Sequence, residues 1–464
     1  MADKQVFHLI NRISLGPKKE QIQLIEKQGI DGYIQAQLQP KNIPYPAELK
    51  QKLQPLETLR FTPNKAFKER QRIEKTADEL TLSRREKRRA RRQLENKTLL
   101  QARQGRSLLA LESPRQLEEV MVDFWYNHFN VYAKKSGITR ILFSSYEQQV
   151  IRPHALGKFR QILGATAHHP AMLHYLDNWQ NTDPKSKNAK GRFKGINENY
   201  ARELLELHTL GVDGGYSQQD VMELARILTG WGLPDNPKRS TDEDGFYFDS
   251  DRHDFTDKIL LGKTIKGRGI AEGEEALDLL ASHPSTAKFI SYKIAQLFIA
   301  DYPPESIIKK LSQRFLETEG NIAAVLKTVF KSDEFWDKKY YNSKFKSPYR
   351  YMTSVMRAIG TVSNYKRIDG LLNQLGMPLY ECATPEGYKN TEDAWLSPDT
   401  MIRRSSLSLP FSNGLLHDSK PIDKDRLSQT LEGLLSTNTL EVIDNNPPNL
   451  KAALMLGCPE FMRY

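Results

Sequence analysis

The stretch GINENYARELLELHTLGVDGGYSQQDVMELARILTGW, Gly195 to Trp231, sets Glu198, Arg202, Glu203, Glu206 and His208 within eleven residues. Carboxylates and an imidazole at this density carry the chemistry of a metal site or of acid–base catalysis, and an arginine among them can orient a carboxylate or bind an anion. On a helix Asn199 and Glu203 lie four apart and Glu203 and Glu206 three apart, so these three share a face. Glu198, Arg202 and Glu206 form an i, i+4, i+8 acid–base–acid series. His208 falls roughly 200° around from Glu206 at about 100° per residue, on the side of Ala201, Leu204 and Leu205. An unbroken helix therefore cannot present Glu206 and His208 to one ion, and the Glu-x-x-His spacing of carboxylate-bridged metal helices is absent.

Three readings follow. In the first, the Glu198–Arg202–Glu206 series is a buried or half-buried charge ladder and His208 a core histidine. In the second, Glu203 with Glu206 or Asn199 faces a cleft that also receives His128, His253 and Asp254, a set of hard oxygens and imidazoles suited to a divalent Mg, Mn, Fe or Zn ion. In the third, a metal-free polar pocket uses Arg202, Arg226 and Lys258 to grip an anionic substrate. His8 and Arg12, one helical turn apart, read as packing residues that could also orient a carboxylate. His283, ahead of Pro284, reads as a helix terminator, with Ser282 or Ser285 the expected cap.

The elements that must position these groups are mostly helical. Val6, Leu9, Ile10 and Ile13 recur at helical spacing, then Ile22, Leu24 and Ile25 up to a stop at Gly29. In LESPRQLEEVMVDFWYNHFNVY, Leu117, Met121, Phe124 and His128 mark a buried face, while Asp123 and Asn127 form an adjacent polar pair. Pro170 suits a first helical turn. Ser217 with Asp220 three residues on makes a capping box after the Gly214–Gly215 turn. The one β signal is a hairpin at 245–265, with Phe246 and Phe248 on one strand and Lys258 to Ile265 returning. Residues 375–400 are irregular and rich in Pro and Gly.

The net charge of +11 is concentrated in one segment. Residues 60–106 hold sixteen Lys or Arg against six Asp or Glu, so the remainder is nearly neutral. Arg84, Arg85, Lys87, Arg88, Arg89, Arg91 and Arg92 are seven of nine consecutive residues. With no Pro or Gly from Asn64 through Gln104 and nothing that reads as core, this is a long exposed helix or helical hairpin. It is either a solvated arm or a contact for an acidic protein, nucleic acid or anionic membrane surface. Aromatic residues lie only near its start, so base stacking is not indicated.

Several classes are excluded. No phosphate loop, dinucleotide fingerprint, His-Glu-x-x-His, paired Cys-x-x-Cys or Gly-x-Ser-x-Gly elbow occurs. Two cysteines, Cys382 and Cys458, do not make a disulfide scaffold. No apolar run reaches the ~20 residues of a membrane span, and MADKQVFHLINRISLGPKKE lacks a signal-peptide core. The cytoplasm is the expected compartment.

In order along the chain, HLINRISLGP, DFWYNHFNV, YEQQVIRPHALGKF, HHPAMLHYLDN, NENYARELLELHTLGVDGGYSQQDV, LTGW, SHPSTAKFISYKI and LMLGCPEFMRY resemble the bacterial domain-of-unknown-function family 1800 over nearly the full length. The resemblance speaks to membership and is almost silent on activity. The chain departs from it at Thr256, where glycine is usual, and at ATPEGY, where a glycine–tryptophan pair is usual.

The expected architecture is mainly α: N-terminal helices at 1–59, a basic helical arm at 60–106, and a main helical domain at 107–464 with the small hairpin. The expected function is that of an enzyme with a carboxylate- and histidine-lined pocket. Glu203, Glu206, His128 and His253 are its candidate metal ligands, and Arg202, Glu203, Glu206, His253, Asp254 and Lys258 its candidate catalytic groups, for metal-assisted hydrolysis or oxidation. The alternative is a binding or assembly protein acting through residues 84–92.

Overall fold

The computed structural model describes residues 4–233, 244–360, 362–418, 420–431 and 433–464. The fold is mainly α, and its only sheets among these residues are two antiparallel two-strand pairs. None of the described helices is long and apolar enough to cross a membrane.

The first helix, Lys4–Ile13, buries Val6, Leu9, Ile10 and Ile13 as their spacing requires. His8 and Arg12 are buried with them. His8 Nε2 donates to the Phe335 carbonyl at 2.7 Å, and its ring stacks on Tyr341. Arg12 donates to the Tyr340 carbonyl and the Ser343 hydroxyl. These two residues clamp the 335–343 turn, and among the described residues neither pairs with a carboxylate.

The basic segment is a hairpin of helices Pro63–Glu79 and Arg84–Glu112, the second opened by a Ser83–Glu86 capping box. One expectation fails here, because the segment does contribute to the core. Leu94, Thr98, Ala102 and Leu109 are buried on one face of the second helix. Their spacing of four, four and seven is helical, but Arg and Lys on the other faces mask it. Only the distal half, with Arg84, Arg85, Arg88, Arg89 and Arg92 exposed, stands out as an arm.

Two helices in the resemblance-rich segments widen into π turns. Gly137–Ser145 continues through Tyr146–Ile151, and Asn199–Glu203 through Leu204–Thr209. Each π turn holds one more residue than an α turn of the same span, so faces on either side fall out of phase. The predicted caps are in place: Pro170 opens its helix, and Ser217 and Asp220 bond reciprocally. At the helix Pro284–Phe298 the cap is His283, whose Nδ1 accepts from Ser285 N at 3.1 Å, in place of either serine.

The hairpin expected at 245–265 divides. Tyr247–Phe248 pairs with Trp231–Gly232, while Lys258–Leu260 pairs with Lys263–Ile265. Leu261 at φ 50° and Gly262 at φ 75° give the short left-handed turn that closes the second pair on itself. That leaves Phe248 free to find the buried Trp231 strand.

Candidate functional site

The Asn199–Thr209 helix presents its carboxylates unequally. Glu198 and Arg202 pair at 3.0 Å, and Gln218 bonds to both. The ladder stops there, because the π turn begins after Glu203 and carries Glu206 away from the i+4 position of Arg202. Glu206 instead accepts from the Tyr216 hydroxyl at 3.4 Å. Asn199 is committed elsewhere, donating to the Leu176 carbonyl at 3.0 Å. Burial raises the pKa of Glu203, and the neighbouring Glu206 raises it further. His208 lies on the opposite, buried side with Ala201, Leu204 and Leu205, against the rings of Phe129 and Tyr200.

His253, Asp254 and Lys258 form a different, closed assembly. His253 Nδ1 donates to the Thr229 carbonyl at 2.8 Å, and Nε2 meets Glu272 Oε1 at 3.0 Å. Lys258 Nζ bonds the other Glu272 oxygen and the Asp254 carbonyl, and the side chains of His253, Lys258 and Glu272 have no exposed area. Glu272 also accepts from the Arg268 and Gly269 backbone N–H groups. Burial alone would raise the Glu272 pKa, but the bonds from His253 and Lys258 outweigh it and hold it low. Asp254 takes Arg226 at 2.8 Å outside this core.

Glu272 was invisible as a functional partner in the sequence. Its one signal is its place three residues after Gly269, at the start of a helix. Thr256 bonds Asp254 through both its hydroxyl and its N–H.

The predicted groups thus divide among separate places. Glu203 and Glu206 share one face, His253 and Lys258 are sealed on Glu272, and His128 lies in a third location. Among the described residues, no three His, Cys, Asp or Glu side chains converge so as to hold a metal ion.

His128 lines an open cleft of about 330 Å³ between the helices Gln116–His128 and Pro284–Phe298 and the loop from Met377 to Asp393. The loop is fastened by the DFWYNHFNV motif. Asn127 donates to the Tyr388 carbonyl at 2.8 Å and accepts from its N–H at 2.7 Å, while Asn130 donates to the carbonyls of Cys382 and Thr384. Gly387, at φ 77°, passes so close that a Cβ there would lie 2.3 Å from the Asn127 carbonyl oxygen. The Tyr388 ring lies 6.0 Å from that of Trp395. Beneath the cleft, Arg106 ties Asp123 to the buried Glu147 and lies over the rings of Tyr126, Tyr349 and Tyr380.

Lys293 enters this cleft from the Pro284–Phe298 helix. Among the described residues it has no hydrogen bond and no ion pair; its one contact of note is the Phe289 ring, 5.4 Å from Nζ. Burial lowers its pKa, and only Glu386 at the cleft rim pulls it back up. His128 Nε2 lies 3.1 Å from the His208 carbonyl, so Nε2 carries the proton and the buried Nδ1 is a bare acceptor without a partner. That carbonyl is free because it ends the π turn. Burial pushes His128 well below the imidazole range, and Lys293 and His208 push it further; His208 is lowered to about 3 by burial and then by Lys293. The walls carry balanced charge, with Lys293, Arg350 and Lys389 against Asp123, Glu386 and Asp393.

Lys293 and Glu386 escaped the sequence reading. Phe289, Tyr292, Lys293, Gln296 and Leu297 make one helical stripe that looks like an ordinary amphipathic face, and Glu386 lies in an irregular loop.

On the arm, several cations are already matched: Lys87 with Asp78, Arg91 with Glu74 and Arg72 with Glu69. Among the described residues Arg84, Arg85, Arg88, Arg89 and Arg92 have no ion pair and remain exposed.

No curated protein and no solved structure matches the chain. One family model does, over residues 8–463, and with the motif-built cleft it covers, the chain belongs to the family described as Protein of unknown function (DUF1800).

Proposed function

We propose that this protein is an enzyme whose active site is the cleft between Gln116–His128, Pro284–Phe298 and the 377–393 loop, and that it acts on a small polar organic molecule. The observation that carries this reading is Lys293: an amine on a concave surface, partly withdrawn from water, without the carboxylate that a structural lysine acquires. A charge held partly out of water without a counter-charge costs stability, so its retention on a cleft wall fits a working group. The cleft volume falls at the small end of ligand pockets, which run from roughly 300 to 1,000 Å³. Lys293 is the chemical group, Asn127 and Asn130 hold the loop, and the Glu203–Glu206 pair is a separate polar face.

The test is a thermal-shift screen of small carbonyl compounds, carboxylates and amines on the wild type and on a folded Lys293→Met variant. Compounds that stabilise the wild type and lose their effect in the variant support the reading. Equal shifts in both proteins, or none in either, overturn it.

A second reading rests on the five exposed, unpaired arginines at the tip of the hairpin. They favour a salt-sensitive contact with a polyanionic partner, compatible with an enzymatic cleft elsewhere.

A further inference from the structure

The cleft's chemistry narrows the class of substrate. We propose that the substrate carries an aldehyde or ketone carbonyl and that Lys293 Nζ condenses with it to an iminium, a step that rests on the cleft being the active site.

The argument begins with what the cleft does not favour. A lysine kept to bind an anion gains from full charge and from walls free of competing carboxylates. Here Asp123, Glu386 and Asp393 line the same space, so an anionic ligand would meet repulsion as well as attraction. Lys293 has no carboxylate within ion-pair reach among the described residues, its flank is the Phe289 ring, and it is set near two buried histidines that are kept neutral. Its partial withdrawal from water and its missing ion pair favour the free amine, the nucleophilic form, over the weaker pull of the Phe289 ring and Glu386 toward the ammonium. A desolvated lysine of this kind is how an amine becomes reactive at neutral pH.

The step balances as follows. The Nζ lone pair forms a C–N bond to the carbonyl carbon while the carbonyl π pair moves onto oxygen. One amine proton passes to that oxygen through solvent at the cleft mouth, giving a neutral carbinolamine. A second proton, taken from water, lets the oxygen leave as water as the nitrogen lone pair forms the C=N bond. Amine, carbonyl and one proton thus give iminium and water, with no oxidant or reductant. Hydrolysis reverses the sequence. His128 lines the same cleft, but its unpartnered Nδ1 is shut off from solvent, so water at the cleft mouth carries the protons of this step. The iminium would serve as an electron sink for a proton or carbon group leaving the neighbouring carbon.

The experiment is reductive trapping. Wild-type protein is incubated at neutral pH with acetaldehyde or pyruvate, each with sodium cyanoborohydride, and adducts are located by peptide mass mapping. The expected result is labelling of Lys293 clearly above that of the median exposed lysine, since a lowered pKa raises the free-amine fraction at neutral pH. In a Lys293→Arg variant that site-specific adduct is lost while surface labelling is unchanged. Labelling of Lys293 at or below the surface level with both probes overturns the iminium. Were that to occur while ligands in the thermal-shift screen still required Lys293, the cleft would stand as the binding site and only the covalent step would fall. Absence of both would remove both.

Discussion

The side-chain amide of Asn127 grips the backbone of Tyr388 at both its N–H and its carbonyl, at 2.7 and 2.8 Å. One residue of a helix thereby does for a loop what a strand partner does in a sheet, and the outer wall of the cleft depends on it. Asn127→Ala leaves two partly buried backbone groups unpaired, at about 1–3 kcal/mol for each group fully deprived of a partner. The expected result is faster hydrogen exchange confined to residues around 380–390 and weaker binding of any cleft ligand, with the rest of the helical fold unaffected. Uniform loss of protection throughout the chain would contradict this local role.

Among the described residues, Glu272 is the one carboxylate bonded to both Lys258 and His253. Glu272→Gln removes the counter-charge of the buried Lys258 and disturbs the bond to His253, and breaking such a network costs about 3–5 kcal/mol. Chemical denaturation should show this as a lower midpoint with an unchanged slope. A variant of wild-type stability would mean that the assembly is not structural, and would return His253 and Lys258 to the list of functional groups.

Asp254 gives a pH-dependent signature. Burial alone would raise its pKa, but hydrogen bonds from Thr256 and Arg226 outweigh this and hold it at about 2, against an ordinary value of 3.8. A carboxylate depressed on folding adds stability above its unfolded pKa, and the gain disappears as pH falls through the folded value. Asp254→Asn should therefore cost about 1–2 kcal/mol near neutral pH. The gap to wild type should close between about pH 4 and pH 2. A gap independent of pH in urea titrations would assign the loss to packing.

The arm's tip should be separable from folding. Changing Arg84, Arg85, Arg88, Arg89 and Arg92 to Gln removes no ion pair, so the melting temperature should hold or rise slightly as like charges are relieved. If the tip is a contact, affinity for a duplex oligonucleotide, or alternatively for anionic vesicles, should fall along with its salt dependence. Undiminished salt-sensitive binding by the variant would place the contact elsewhere.

What could be read in the sequence was local. The buried side of Ala201, Leu204, Leu205 and His208, the Ser217–Asp220 cap and the helical hairpin of the arm all follow from 3.6-residue spacing or from a few adjacent side chains. The misreadings have two physical causes. One is the π turn after Glu203, which shifts Glu206 out of phase with Arg202 in a way that no residue type announces. The other is distance: Trp231 chooses Phe248, His253 chooses Glu272, and Lys293 comes to line a cleft with Glu386, pairings decided by the whole core. Asp123 and Asn127 stood out as a polar pair, but their partners Arg106 and Tyr388 lie 17 and 261 residues away.

That last separation bears on how the protein comes into being. The helix carrying Asn127 and His128 leaves the ribosome well before the loop that closes over it, and the entropy of joining such distant segments is recovered only when most of the intervening chain has packed. The cleft is therefore among the last features to assemble, and a nascent or half-folded chain has one wall of it and no enclosure. Stalled or truncated products ending before Tyr388 would carry the motif helices in full and still present no pocket, so the site itself reports that folding is complete.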